Sequence, residues 1–520
     1  MNRTCLLLRA QVINYFSLNE IKHPGSKKNT AAIMGVGVIM LILFFCAYNV
    51  LTAQALIQMG QQDLIPAYMV AISSFAVLIL TILRSNGILF GSRDMDMLSA
   101  LPVKASEIIS SKFLFMYLLN FLICFVFMAS GGLVWILNTP LDIIRSAFYF
   151  LSMFFVPLIP MCTASFIGLF IVFASSRFKN KNVFSLVFSF AALGAVGYAG
   201  VSSMQPGNDI ENLGAMLAGQ IPRLYPLSNW FLNQTAFPAS AGPAAFIILS
   251  AAVFYLFRML VSVKHGVLNA LAGTSWKYTI SRKAVLKRQS QFTALYRKEL
   301  GRFFSSYMAV LNTGLGVLML CLFSISLLIM SPGQLGQYIG INDMNSFLSK
   351  YAPVVIASML SLSCPAASSI SLEGKNIWIL QSSPVSVKTI LNSKLAVNLT
   401  LHAFGYFLAV FAIMARLSMN PFQILSMLLI PIAYSIFTTV LGGVLNKKYP
   451  NYAWENEMLV VKQSFPVIVS NIIGIATVAL PVLLHWTLSI PLMPALWGVA
   501  MAAITASSVM YQKTCESKFI

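Results

Sequence analysis

Continuous apolar stretches about twenty residues long run through the whole of this 520-residue chain. A hydrocarbon core about 30 Å thick requires roughly 20 apolar residues for one helical crossing. Twelve stretches meet this length, and they lie at about residues 33–53, 65–83, 113–134, 146–174, 183–202, 243–262, 307–330, 352–371, 395–415, 422–445, 464–485 and 491–511. They are continuous and do not alternate with polar residues, which excludes a membrane β-barrel. The sequence therefore predicts an all-α polytopic membrane protein with about twelve transmembrane helices.

The charged residues are few and fall mostly on one side of the membrane. Hydrophobic residues make up 58% of the chain and charged residues 9%, which leaves too little polar surface for a soluble protein. If the N-terminus is cytoplasmic, 30 of the 34 Lys and Arg residues lie on the inner side, and only Arg145, Arg223, Lys350 and Arg416 lie outside. This bias predicts cytoplasmic N- and C-termini. It also attributes the net charge of +20 to topology and argues against a nucleic-acid partner.

A short polar segment occurs twice in the chain. Residues 93–112 align with residues 375–394, and over these twenty pairs six are identical and five more are close in chemistry. Both copies connect two apolar stretches, so the repeated unit is a membrane domain. We therefore expect two six-span transmembrane units, at residues 1–265 and 291–520, joined by a cytoplasmic linker at 266–290.

An amphipathic stretch precedes the first apolar run of each predicted unit, at residues 3–18 and 292–304. In the second stretch, apolar residues recur at helical spacing on the side opposite Arg297, Lys298 and Arg302. This pattern is typical of an interfacial helix that lies in the headgroup layer. The alternative is an ordinary cytoplasmic extension of a spanning helix.

Both copies of the repeated connector combine apolar and charged side chains. The residues that fit a docking surface are Arg93, Asp94, Met97, Leu98 and Leu101 in the first connector, and Glu373, Lys375, Ile377, Trp378 and Leu380 in the second. Pro102 and Pro384 follow these segments, and proline disfavours helix at the residue before it. We expect each connector to contain a short amphipathic helix that fits a groove on a partner. The alternative is an inner loop whose apolar residues rest on the bilayer.

Motifs for catalysis or cofactor binding do not occur in the sequence. There is no GxxxxGK[ST] phosphate loop, no GxSxG and no HExxH. The seven cysteines show no CxxC spacing and the four histidines share no helical face, so no metal site is predicted. All fourteen Asp and Glu residues map to connectors or helix ends, which disfavours a carrier driven by an ion gradient. We expect a protein that is not an enzyme, holds no cofactor, and takes the energy for uphill transport from another polypeptide.

The order of these features resembles a known family. An interfacial helix with Arg297, Lys298, Glu299 and Arg302 precedes two predicted spans, then come residues 373–380 (EGKNIWIL) with a Pro-Val pair at 384–385, and four more spans follow. This arrangement, present once in each half, resembles the membrane subunit of ABC-2 type (type V) ABC exporters. The resemblance implies a fused pseudo-dimer that forms the translocation pathway, with an elbow helix before each six-span unit.

The resemblance also implies a partner, namely an ABC ATPase subunit in two copies, which binds ATP and Mg and grips the connectors. The expected location is the bacterial cytoplasmic membrane. The sparsely charged spans favour a hydrophobic or amphipathic cargo. A self-contained secondary carrier or flippase for a hydrophobic or lipid-linked substrate is the competing interpretation, and co-purification of an ATPase separates the two.

The two halves differ in their last outer connector. Residues 201–243 form a long segment with several prolines and aromatic residues, whereas the corresponding segment at 485–491 is short. In the resembling exporters this place holds short re-entrant helices, and residues 221–237 fit that role. The alternative is a loop without fixed structure.

Overall fold

The computed structural model describes residues 3–15, 28–85, 102–103, 105–139, 142–178, 181–202, 225–232, 241–273, 289–339, 343–454, 457–462 and 464–516. Within these residues all regular secondary structure is helical. Nine of the described helices are long and apolar enough to cross a membrane, or ten if one bent pair forms a single span. The protein is therefore a polytopic helical membrane protein. Its chain divides into two compact units, Met1–Tyr278 and Thr279–Ile520.

The described part of the first unit contains eight α-helices. Its helices are α1 (Arg3–Tyr15), α2 (Lys28–Gln58), α3 (Ile65–Ser85), α4 (Ala105–Asn138), α5 (Ile143–Ser152), α6 (Leu158–Ser176), α7 (Lys181–Ser202) and α8 (Ala241–Gly273). Helix α4 packs against α2 and α3, and α6 packs against α3 and α8. A buried apolar core that includes Met69, Met128 and Tyr149 fills the space between these helices.

Of residues 221–237, for which the sequence suggests re-entrant helices, the structure describes only Tyr225–Leu232, which packs within the first unit. It contains a 3-10 helix at Pro226–Phe231, which packs on α3 and α8. Phe231 is buried, and its ring lies 5.3 Å edge-on from that of Phe246. Gly242 passes so close to the carbonyl of Trp230 that a side chain there would clash with it. This stretch is thus an ordered element of the unit.

The described part of the second unit contains twelve α-helices, and several of them are short. They are α9 (Gln291–Ser305), α10 (Tyr307–Thr313), α11 (Leu315–Ile329), α12 (Pro332–Ile339), α13 (Met344–Ser361), α14 (Ala366–Ser369), α15 (Ile377–Ser382), α16 (Val387–Arg416), α17 (Pro421–Lys448), α18 (Glu457–Lys462), α19 (Phe465–Leu488) and α20 (Leu492–Glu516). Helix α16 packs against α9 and α11, and α17 packs against α13, α19 and α20. Gly316 allows α11 to touch the backbone of α13, because a side chain there would clash with the carbonyl of Met359.

Three of the twelve predicted spans contain more than one helix, including the stretch at 352–371, in which α13 ends at Ser361 and α14 begins at Ala366. The stretch at 146–174 contains two helices, α5 and α6, separated at Pro157, and only α6 has the length of a span. The stretch at 307–330 contains α10 and α11, which are bent by 70° at Gly314. The stretches at 33–53 and 183–202 lie on single helices, α2 and α7, but the apolar portions whose side chains the structure describes, Ile42–Gln58 and Val183–Ala195, are shorter than a span. About nine candidate spanning helices are therefore described, and twelve remains a prediction.

Candidate functional site

The second connector is made of short helical pieces in an ordered path. After α13 ends at Ser361, the chain forms α14, a 3-10 helix at Ser371–Asn376, and α15. Ser383 is extended, with φ −76° and ψ 145°, because the following Pro384 disfavours helix there. The short helix that the sequence predicts before Pro384 is thus α15.

Gly374 makes the sharpest change of direction in the connector. Its φ of 57° and ψ of −139° lie in a region that residues with a side chain rarely adopt. A Cβ atom at this position would come within 3.2 Å of the indole of Trp454. The same indole donates a hydrogen bond from Nε1 to the carbonyl of Ser371, at 2.7 Å. The segment after α17 therefore packs directly against the turn of the connector.

Asn446, near the end of α17, holds the backbone at the start of the 3-10 helix. Its Oδ1 accepts hydrogen bonds from the amides of Ile370, at 2.7 Å, and Ser371, at 3.1 Å. Its Nδ2 donates to the Ser371 hydroxyl, at 2.7 Å. The side chain is fully buried, so these amides obtain partners that water cannot supply. Sequence reasoning missed this residue, because a single Asn in an apolar helix carries no motif.

Five charged side chains meet behind the connector, and we call them the ionic cluster: Lys298, Glu299, Arg302, Glu373 and Lys394. Lys394 is at its centre and is buried. Its Nζ donates to Glu299 Oε1 at 2.9 Å, to Glu373 Oε1 at 2.9 Å and to the Ser369 carbonyl at 3.0 Å. An ammonium group has three donors, so every donor of Lys394 has a partner.

The two other cations of the ionic cluster, Arg302 and Lys298, pair with the same two carboxylates. Arg302 pairs with Glu299, lies 2.9 Å from Glu373 Oε2, and donates to the Ser369 carbonyl at 3.1 Å. Lys298 Nζ lies 3.0 Å from both oxygens of Glu373. The side chains of Glu299 and Glu373 are only 6% and 5% exposed, whereas Lys298 is 45% exposed at the edge of the cluster. Three cations and two carboxylates leave a net charge of +1.

A small cavity of ≈ 20 Å³ adjoins the ionic cluster. Its walls include Glu299, Arg302, Lys394, Thr313 and Ser368. This volume is enough for about one water molecule. The one carboxylate among its described lining residues, that of Glu299, is already engaged by Lys394 and Arg302, so no anionic ligand set is open to a metal ion there. No group of three or more potential metal ligands occurs among the residues that the structure describes.

The connector has an anchored face and an exposed face. Ile377 and Leu380 are buried and pack with Leu295 of α9, Ile390 of α16 and Tyr452. Burial, and then the nearby carboxylate of Glu373, raise the pKa of Tyr452.

Trp378 and Ile379, which lie on the opposite side of α15, are 61% and 52% exposed. Lys375 and Pro384 are exposed as well. The sequence analysis places Ile377, Trp378 and Leu380 on one docking surface, but of these three only Trp378 is exposed on α15. Residues three apart share a face of a helix and the intervening residue does not.

The charged residues of α9 do not all lie on the predicted polar face. Arg297 and Lys298 are exposed, but Glu299 is buried and Arg302 is largely covered. Lys298 and Arg302, which the sequence places on the polar face, both reach Glu373 in the connector. The sequence gives no signal for this contact, since the partners are more than seventy residues apart.

Of the residues predicted to form the docking surface of the first connector, only Pro102 is described. Arg93, Asp94, Met97, Leu98 and Leu101 lie outside the residues that the structure describes. Pro102 is exposed, and its carbonyl accepts a hydrogen bond from Arg3 Nη1 of α1, at 2.9 Å. In the second unit, Gln291 Nε2 of α9 donates to the carbonyl of Pro384 at 3.4 Å. In both units, the carbonyl of the repeat proline thus accepts a hydrogen bond from the side chain of the first residue of α1 or α9.

Apolar contacts repeat in the same way. Leu7, Val103 and Ile108 pack together in the first unit, and Leu295, Val385 and Ile390 belong to one cluster in the second. Val103 and Ile108 are the repeat partners of Val385 and Ile390 in the sequence alignment. Leu7 and Leu295 hold matching positions in α1 and α9, four residues after the residue that donates to the proline carbonyl.

A second polar network lies deeper in the second unit, where α13 gives way to the connector. His402 contacts the Ser363 carbonyl through Nε2, at 2.7 Å, and the Ser435 hydroxyl through Nδ1, at 2.8 Å. A carbonyl only accepts, so Nε2 carries the proton. Asn398, one turn earlier, accepts from the amide of Ala366 at 3.2 Å. These side chains satisfy the backbone at a break between helices, which apolar surroundings require.

Comparison with family models, curated proteins and solved structures finds no match to this chain. The geometry of the second connector therefore carries the functional argument.

Proposed function

We propose that this chain is the membrane-spanning permease subunit of an ATP-binding cassette exporter. It forms the translocation pathway, and a separate ATPase drives it through the connectors. The observation that carries the proposal is the two-faced second connector, fixed by Ile377 and Leu380 and exposing Trp378 and Ile379. A rigid segment that presents apolar side chains beside an exposed Lys375 suits a protein interface, because aromatic anchors dominate such contacts.

The matched contacts of α1 and α9 support a fused pseudo-dimer of two six-span repeats, each with its own elbow helix. Both helices donate a hydrogen bond to the carbonyl of a repeat proline, Pro102 or Pro384. Both pack a leucine against the same pair of repeat positions. In this arrangement each connector engages one of two ATPase copies.

The charge distribution supports the orientation. With twelve spans, 30 of the 34 Lys and Arg residues lie on the side of the connectors, which is cytoplasmic by the positive-inside rule. The N- and C-termini are then cytoplasmic, in a bacterial cytoplasmic membrane. ATP and Mg are bound by the partner and not by this chain, and the cargo is hydrophobic or amphipathic.

A secondary carrier is the second candidate, and the buried carboxylates of Glu299 and Glu373 are the observation that favours it. Carriers driven by ion gradients keep such groups to bind a proton or cation. Here, however, both carboxylates are already paired with Lys394 and Arg302. A coupling ion would have to displace a buried cation, so the exporter is the better account.

Co-purification tests the proposal directly. The tagged chain, extracted in mild detergent from its native host, is expected to retain a stoichiometric ATPase that carries a phosphate loop. Transport by the purified chain alone, driven by a proton or sodium gradient, would favour the carrier instead.

A pair of tryptophan variants tests the docking face. Trp378→Asp places a charge where the partner is expected to bury an apolar side chain, at a cost of about 3–5 kcal/mol. The Kd for the ATPase is then expected to rise more than about 100-fold, since 1.4 kcal/mol corresponds to a factor of ten.

Trp486→Asp is the matched control, because Trp486 is also an exposed tryptophan, at 75%, but it lies far from the connector. Its neighbour His485 contacts Lys350, which lies in the first half of α13. The connector follows the opposite end of α13. Equal loss of binding in both variants, or in neither, would remove the docking role of α15.

A further inference from the structure

Stability alone does not account for the ionic cluster. Charged residues make up only 9% of the chain, yet five of them meet at one point in the second unit. Burying ions costs solvation energy, and well-packed apolar residues often stabilise a fold equally well or better. Hydrogen-bonded ion pairs differ from apolar contacts in being directional. A cluster of this kind therefore suits a place where orientation has to be fixed.

The contacts of the ionic cluster tie together three separate segments. Glu299 belongs to α9 and binds Lys394 of α16. Glu373 belongs to the connector and binds cations of both helices. The Ser369 carbonyl, just before the 3-10 helix, accepts from Arg302 of α9 and from Lys394 of α16. Each of the three segments is thus joined to the other two.

The first unit presents a neutral residue at the matching place of its elbow helix. When α1 and α9 are aligned by their shared contacts, Gln11 corresponds to Glu299. Gln11 Nε2 donates to the Ser111 hydroxyl at 3.3 Å and forms no ion pair. Lys112, the repeat partner of Lys394, is also buried. Both halves therefore have a buried lysine at this position of the repeat, Lys112 or Lys394. A carboxylate at the matching position of the preceding helix occurs only in α9, as Glu299, because α1 has Gln11 there.

We propose that Glu299, Glu373 and Lys394 are positioning residues that make α9, the second connector and α16 move as one body. Movement imposed on Trp378 by a partner then reaches the spanning helix α16. Helix α1 carries no carboxylate between Arg3 and Tyr15, so a tie from the elbow carboxylate of Glu299 is specific to the second half, and in this proposal the two halves contribute unequally to coupling. The coupling part of this inference rests on the proposed function, whereas the rigidity part does not.

Hydrogen–deuterium exchange of the full-length chain in lipid nanodiscs tests rigidity without any partner. The variants are Lys394→Met, Glu299→Gln and the double variant, which keeps the net charge of the ionic cluster at +1. We expect the double variant to melt closer to wild type than Lys394→Met does, because it leaves fewer uncompensated carboxylates. Amides of residues 371–382 are nevertheless expected to exchange about tenfold faster than in wild type. Lys298→Arg, which keeps a cation at the solvent edge of the ionic cluster, is the conservative control and is expected to retain slow exchange.

ATP turnover of the complex tests coupling. With Trp378 intact, the double variant is expected to bind the ATPase within about threefold of the wild-type Kd, but the chain no longer alters the turnover rate of the bound ATPase. Gln11→Ala in the first half is expected to leave this response unchanged.

Three results would overturn the inference. The first is wild-type exchange at residues 371–382 in the double variant, and the second is a double variant that melts at a lower temperature but keeps the wild-type exchange and ATPase response. The third is a loss of the ATPase response in Gln11→Ala that equals the loss in the double variant. Failure of the wild-type chain to bind any ATPase would defeat the proposed function and the coupling part, while the exchange result would decide rigidity by itself.

Discussion

Replacement of Asn446 by Leu should destabilise the second unit, because two buried backbone amides lose their hydrogen-bond acceptor. Leu fills a similar volume, so the change removes hydrogen bonds with little change in packing. The amides of Ile370 and Ser371 lose their shared acceptor, and the site is fully buried. Each stranded amide costs about 1–3 kcal/mol, which gives roughly 2–6 kcal/mol for the pair. For a unit of this size, 1 kcal/mol shifts the melting temperature by about 2–4 °C, so a fall of at least about 4 °C is expected.

Thermal unfolding of the purified chain, followed by tryptophan fluorescence in one detergent at one protein concentration, measures this change. Asn376→Leu is the matched control, because Asn376 lies in the same connector but is exposed and makes no capping hydrogen bond. Asn446→Asp keeps an acceptor for both amides and should fall between wild type and Asn446→Leu if the acceptor matters. An unchanged melting temperature for Asn446→Leu, or an equal fall in the Asn376 control, would refute the reasoning.

Three further substitutions probe other parts of the second unit by the same thermal assay. Gly374→Ala should cost about 1–3 kcal/mol because of its positive φ, and wild-type stability would show that the turn relaxes. His402→Leu leaves the buried Ser363 carbonyl without its donor and should cost about 1–3 kcal/mol, whereas His402→Gln should recover part of the loss. Asp343 caps α13, and hydrogen bonds from Ser346 hold the pKa of its carboxyl below the usual range. Its contribution is therefore full above about pH 4 and is lost as the pH falls through the lowered pKa. Asp343→Ala should thus melt below wild type at pH 7, and the gap should close in more acidic buffer; a gap that persists there would contradict the capping role.

The helical class of the fold follows from the length and continuity of the apolar stretches, but the number of spans does not. Hydropathy averages over a window, so it does not register the 70° bend at Gly314 or the interruption between α5 and α6 at Pro157. Both sites contain the residue types that break helices. Pro384 illustrates the opposite case, because its effect on the residue before it is local and was read correctly from the sequence.

The sequence predicted where the second connector lies in the chain, but it did not predict which of its side chains are buried and which are exposed. The repeat located the second connector, and helical spacing alone could have separated Ile377 and Leu380 from Trp378. The ionic cluster was beyond sequence reasoning, because Lys298 and Glu373 are brought together only when α9 packs against the start of α16. A positive-inside count treats every Lys and Arg as a topological signal. It therefore cannot show that Lys394 is buried and serves a contact inside the protein.

The connector combines two kinds of contact that do different physical work. Ile377 and Leu380 provide apolar burial, which is strong but allows a short helix to rotate or slide with little change in energy. The ionic cluster and Asn446 provide hydrogen bonds with narrow angular limits, and they act on the backbone just before α15. Apolar burial thus holds the segment in place, and the directional contacts decide which side faces outward. This division accounts for the exposed position of Trp378, and it is the physical basis for the proposal that a separate protein covers the exposed face.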